Sequence, residues 1–206
     1  MKNSFSPFTK GNTNKACVSF VDSAFEFAQK HNKTIEFRNV NYLLVNRKEQ
    51  CTGYCDDDGL VVAYKENILS AFKTFVHEFC HLQQSVEDIK GWKEWHWPSF
   101  DGNLSIPDYQ NLKKCIELEH DCERRAIKYI KELNIVDVEE YIQEANSYFF
   151  FQQYCFLKRK WFPLKCGNED IYAFLINSMP TKLVPVKSFS KIDMDVMNMF
   201  EIVFCQ

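Results

Sequence analysis

The stretch "FKTFVHEFCHLQQS", residues 72–85, sets the tightest limit on what this chain can fold into, because it places His77, Glu78 and His81 in the order His-Glu-x-x-His. Each helical residue advances about 100°, so on a helix the two histidines stand some 40° apart and address one point. On the same arc fall Ser70, Lys73, Thr74, Gln84 and Asp88, while Ile68, Phe72, Phe75, Phe79, Leu82 and Val86 form the other face. The pattern predicts a helix that starts after Asn67, a residue able to cap it, and runs to about Asp88. One face packs, and the histidine face turns to a cleft. The competing reading is a surface helix carrying two unrelated histidines.

Two imidazoles do not complete a catalytic zinc site, which takes three protein ligands and keeps a fourth position for water. The continuation "HLQQSVED" lacks the Gly and the third His of the extended metzincin motif. A second element must therefore supply the ligand, and "NLKKCIELEHDCERRAIKYIKEL" (111–133) offers Glu117, Glu119, His120, Asp121 and Glu123. With Glu119 at phase zero, Leu112, Cys115, Ile116, Cys122, Ala126, Ile130 and Leu133 all lie within about 60° of it. Glu117 and Asp121 fall on the far side with Lys114, Arg124 and Lys128. An ionised carboxylate in an apolar stripe is costly unless it is paired or binds a metal. Glu119 is thus the expected third ligand, and Glu123 the expected acceptor that fixes the tautomer of a ligating histidine. A buried salt bridge from Glu119 to Lys73, Arg124 or Arg125 is the alternative. His120, at the flank of the stripe, suits an ordinary polar contact. Cys80 and Cys122 are read as small packing residues, with a thiolate ligand as the lesser alternative. Cys51 and Cys55, with no matching pair downstream, are read as turn cysteines.

These residues resemble the gluzincin class of zinc metallopeptidases, which join His-Glu-x-x-His to a downstream Glu on a second helix. The segment "ELEHDCERRA" is similar to the Glu-x-x-x-Asp helix of thermolysin-like enzymes. Its Glu119, Cys122, Glu123 and Ala126 follow the Glu-x-x-Ala-Asn-x-x-Ala pattern of the ImmA/IrrE-type peptidases, with Glu123 standing where that family has Asp or Asn. "EANSY" (144–148), "RKW" (159–161) and "SMP" (178–180) are similar to small His-Glu-x-x-His proteins encoded by tailed phages. The specific likeness spans residues 60–130, and no helix-turn-helix accompanies it. It implies Zn²⁺ held by His77, His81 and Glu119, Glu78 as general base, and a protein or peptide as substrate. Tyr148 and His120 are the candidates for an oxyanion donor.

The rest of the chain reads as a single α+β domain over 1–206, mainly α and zincin-like, with a short β-sheet beside the motif helix. Residues 1–12 form a loose arm and 60–133 the catalytic core. Ala16, Phe20, Ala24, Phe27 and Ala28 predict a helix. "TIEFRNVNYLLVNRK" (34–48) reads as one strand or a hairpin. A turn at Asp56–Gly59 leads into a strand, Leu60–Tyr64, expected to pair with an extended substrate by strand addition. A long loop follows the motif helix, carrying Trp92, Trp95, Trp97 and Phe100. Helices are then expected over about 108–133 and 137–160, before a mixed tail.

Net charge and cysteine usage limit the partners and the compartment. A net charge of -3 gives no reason to expect nucleic acid, and the basic "LKRKWFPLK" (157–165) is read as a solvated helix end. Nine scattered cysteines do not form a secreted disulfide framework. The polar N-terminus lacks a signal-peptide core, and no run of about 18 apolar residues occurs. A cytoplasmic protein is expected, in the host cytoplasm or the virion if phage-encoded, with no membrane partner. Two non-enzymatic readings remain. One is a virion or scaffold protein whose structural zinc is closed by Cys80, Cys122 or His96; the other is a peptide-binding module using the Trp-rich loop. The intact Glu78 favours the enzyme.

Overall fold

The structure is a computed structural model, and it describes residues 7–8, 15–45, 49–87, 92, 109–158, 162, 165–166, 169–170, 173–190 and 193–204. The first helix, α1 (Lys15–Lys30), buries Cys17, Val21, Ala24 and Ala28, a spacing of four, three and four that keeps one stripe inward. Asn32, at φ 54, turns the chain out of it. Five short strands follow: β1 (Thr34–Arg38), β2 (Leu43–Val45), β3 (Glu49–Cys51), β4 (Gly53–Cys55) and β5 (Gly59–Ala63).

Gly59 fixes the register of the main sheet. β1 runs parallel to β5 with Thr34 opposite Gly59. There the glycine has φ 152, and a Cβ would stand 2.1 Å from the Thr34 carbonyl oxygen, so no larger residue fits. The turn before it is an Asx turn, with Asp56 Oδ1 accepting from the amides of Asp58 (2.9 Å) and Gly59 (3.1 Å). It returns β5 antiparallel to β4, and the strand order is β1-β5-β4.

Two strand expectations need correction. Residues 34–45, the described part of the segment 34–48, do not form one strand or a hairpin: β1 joins β5, while β2 pairs antiparallel with β3 in a separate ladder. The strand expected at 60–64 is the central one, with both edges already hydrogen-bonded to β1 and β4, so it cannot accept an added strand. β4 lies at the sheet's edge instead. The unbroken apolar run Leu60-Val61-Val62-Ala63 fits this central position, since every residue of β5 is buried.

The motif helix is α2 (Ile68–Val86), capped by Asn67, whose Oδ1 accepts from the amides of Leu69 (2.9 Å) and Ser70 (3.0 Å). Phe72, Phe75, Phe79 and Leu82 are buried, whereas Ile68, in the first turn, is exposed. The phenylalanine row meets Phe20 of α1 in edge contacts at 5.8 Å (Phe75) and 5.5 Å (Phe79). Phe8, in the stretch expected to be a loose arm, is buried with its ring 5.0 Å from Phe37 and 5.1 Å from Phe72.

Two long helices come next, α3 (Tyr109–Leu133) and α4 (Val138–Lys158). Leu112, Cys115, Ile116, Glu119, Cys122, Ala126, Ile130 and Leu133 of α3 are all buried, as helical phase requires. Beyond α4 lie β6 (Lys165–Cys166), β7 (Glu169–Asp170), α5 (Ala173–Ile176), a 3-10 turn (Val186–Ser190) and α6 (Met194–Phe204). Phe149, Phe151 and Tyr154 of α4 pack with Leu175, Met179, Phe189, Met197 and Phe200. Asn146 ties the tail down: its amide donates to the carbonyls of Pro180 (2.8 Å) and Lys182 (3.0 Å), and its oxygen accepts from the Val184 amide (2.9 Å).

The chain divides into two compact units, Met1–Ile89 with Lys128–Leu133, and Lys90–Ile127 with Asn134–Gln206. The division falls within α3, which belongs to both. The architecture is mainly α with a small mixed sheet. No helix among the described residues is long and apolar enough to cross a membrane. Of the Trp-rich loop only Trp92 is described, and it is buried; Trp95, His96, Trp97 and Phe100 lie outside the described residues.

Candidate metal centre

Helical geometry brings the two motif histidines together. The rings of His77 and His81 are 4.7 Å apart between centroids and nearly perpendicular, at 82°. The polar arc of α2 is more enclosed than a cleft face would be, with His81 and Gln84 both buried. Their polar atoms meet, His81 Nδ1 lying 2.9 Å from Gln84 Oε1. With the amide oxygen as acceptor Nδ1 is the donor, the tautomer in which Nε2 would be the ligand atom.

A third donor joins them from α3. Ligand atoms of His77, His81 and Cys122 all lie within 4.8 Å of one another. A Zn²⁺ ion sits about 2.0–2.1 Å from imidazole nitrogen and about 2.3 Å from thiolate sulfur, so donors spread over as much as 4.8 Å would draw in slightly to hold one ion. Cys122 is 0% exposed, which leaves its thiol no solvent contact. Among the described residues this is the group whose donor atoms converge, and Glu119, the expected third ligand, is not part of it.

Glu119 stands one helical turn before Cys122 on α3 and is 2% exposed. Glu123, also buried, accepts a 2.8 Å hydrogen bond from the Tyr141 hydroxyl. Two carboxylates and a thiol thus share one buried stripe. Arg124 and Arg125 both engage Asp121, at 2.6 Å and 2.8 Å. Glu117 is exposed and lies 3.7 Å from Lys113.

Glu78, the proposed base, is 7% exposed and packs beside Gly53 of β4. Tyr148 is half-buried, stacked on Phe151 at 6.3 Å and packed against the apolar cluster around α4. His120 stacks on Phe149 at 5.9 Å, and its Nε2 is buried without a hydrogen bond. Burial holds this imidazole below its usual range, against an opposing hydrogen bond to the Val184 backbone. Cys55 is pushed well above the usual thiol range by burial first and by the charge of Glu78 second. Cys51, Cys55 and Cys80 stand outside the convergent group, and Cys17, Cys51, Cys55, Cys80, Cys115, Cys122 and Cys155 are free thiols.

The sequence makes Cys122 a packing residue first and a thiolate ligand second, and in the structure its sulfur lies in the convergent group. Its helical phase lies within about 60° of that of Glu119, but a cysteine in an apolar stripe is commonly a small packing residue, and periodicity cannot distinguish the two uses. Comparison with known proteins adds no relative: no family model matches the chain, and no curated protein or solved structure is significantly similar to it.

Proposed function

We propose that the chain is a zinc-dependent peptidase with a zincin-like site. The observation that carries this reading is the convergence of donor atoms from His77, His81 and Cys122, with a buried carboxylate, Glu78, following His77 in the chain. Two imidazoles and a thiolate form a donor set that suits Zn²⁺. When bound, the ion would supply Lewis-acid polarisation of a peptide carbonyl and a more acidic water. Gln84 holds the His81 tautomer that such binding needs. Glu78 takes the proton from the attacking water and returns it to the leaving amine. The substrate is a protein or peptide, and β4 is a sheet edge whose Gly53 lies against Glu78.

The burial of both Glu119 and Cys122 on one stripe also favours a second reading. With four protein donors the site would be closed, and the chain would be a non-catalytic scaffold or virion protein with structural zinc. One experiment addresses both. Purified protein should carry about one zinc per chain by elemental analysis, and the His77→Ala/His81→Ala variant none. Glu78→Gln should keep the zinc while hydrolysis of fluorescein-labelled casein falls by about 10²-fold or more. Full zinc in the double-histidine variant would remove the site. Zinc-loaded wild type that leaves casein intact would favour the closed site.

A further inference from the structure

We propose that Gly53 is a positioning residue for Glu78: by having no side chain, it leaves the space in which the Glu78 carboxylate is held. The proposal rests on the reading of Glu78 as the general base. Thr74 and Glu78 are four residues apart on α2, so their side chains lie one above the other on one face of the helix. β4 crosses this row at Gly53. A Cβ added there would stand 2.5 Å from Thr74 Cγ2, 3.0 Å from Glu78 Cγ and 3.1 Å from Glu78 Oε1.

Conformation does not require the glycine, since Gly59 is the glycine with positive φ and Gly53 is not. The need is for space, and the strand cannot retreat to create it. Gly53 is in register with Val62 of β5, and the preceding Thr52 accepts from the Ala63 amide at 2.8 Å. The Thr52 hydroxyl also lies 3.4 Å from the Thr74 hydroxyl, fastening strand to helix. A methyl group at residue 53 must therefore be accommodated by α2. Thr74 is stiff at χ1 and half-buried. The Glu78 contact reaches Cγ as well as the terminal oxygen, so the stem of the side chain shifts and carries the carboxylate with it.

The two contacts can be separated. Thr74→Ser removes the methyl group that lies at 2.5 Å while keeping the hydroxyl near Thr52, so the Gly53→Ala/Thr74→Ser protein relieves the severe overlap and retains the milder one with Glu78. It should fold and bind zinc as Thr74→Ser does. In protein labelled with ¹³C at glutamate Cδ, the Glu78 resonance, assigned by its loss in Glu78→Gln, should move in the double variant and stay in place in Thr74→Ser. With labelled casein the double variant should lose about 10-fold in kcat at unchanged KM, since a displacement near 1 Å of a catalytic group can cost about 10²-fold. An unmoved resonance overturns the proposal, and so does a moved one with unchanged kcat in an active enzyme. If zinc-loaded wild type does not cleave casein, the peptidase reading fails by itself, and the resonance still decides whether Gly53 places the carboxylate.

Discussion

Glu119 and Cys122 stand three residues apart on α3, about 60° from each other by helical phase, and both are buried. Phase and the cost of burying a charge point to the carboxylate, whereas the donor atoms that converge with the histidines include the thiol. What one sequence conveys here is the stripe: each residue placed on it is buried, and Glu117, placed off it, is exposed. It does not convey which of two donors one turn apart reaches the histidines, because that depends on the axial offset between two helices. Gln84 was legible only as a polar residue on the histidine arc, and its hydrogen bond to His81 gives it a role. A zinc titration against a competing chelator ranks these residues. Cys122→Ser should weaken binding most, by more than the about 10–100-fold expected for Gln84→Leu, which removes an outer partner of a ligand. Glu117→Ala should change nothing measurable. If Glu119→Ala proves more damaging than Cys122→Ser, the carboxylate is the third ligand and the thiol only packs beside it.

Among the elements, helices were the more legible. Asn67 marked the start of α2, and the apolar periodicity of α3 and α4 bounded both within two residues. Strand pairing was not legible, because a run such as Leu60 to Ala63 shows that a strand is buried without naming its neighbours. β1 lies across the whole β2 to β4 segment in sequence from its partner β5, and no local signal reports so distant a pairing. The tail was read as mixed because its segments are short. Besides the apolar contacts with α4, a long-range clamp holds it: Asn146 is 0% exposed and bonded to three backbone groups between Pro180 and Val184. Asn146→Ala removes the side-chain partner of three backbone groups in part-buried hydrogen bonds, each bond worth about 0.5–1.5 kcal/mol. The variant should lose at least about 2 kcal/mol in urea unfolding, and amide exchange should accelerate first in residues 180–190. Exchange that speeds up uniformly over the chain would show that the clamp has no local role.

At the scale of the molecule, the donor set ties residues that are distant in sequence, since His77 and His81 lie on α2 and Cys122 on α3. An unfolded chain has no such cluster, so zinc bound to the native site must stabilise the fold by mass action. At free zinc about 1,000-fold above Kd the gain is about 4 kcal/mol, which for a chain of this size raises the unfolding midpoint by roughly 10 °C. The midpoint should therefore rise on adding zinc to metal-free wild type and fall again with a chelator. Glu78→Gln should respond as the wild type does, because the proposed base is not a ligand. His77→Ala/His81→Ala should not respond, because two of the three donors are gone. A wild-type midpoint indifferent to zinc would mean that the convergent donors hold no ion. An equal rise in the double-histidine variant would place the stabilising zinc elsewhere in the chain, and the peptidase reading would lose its metal.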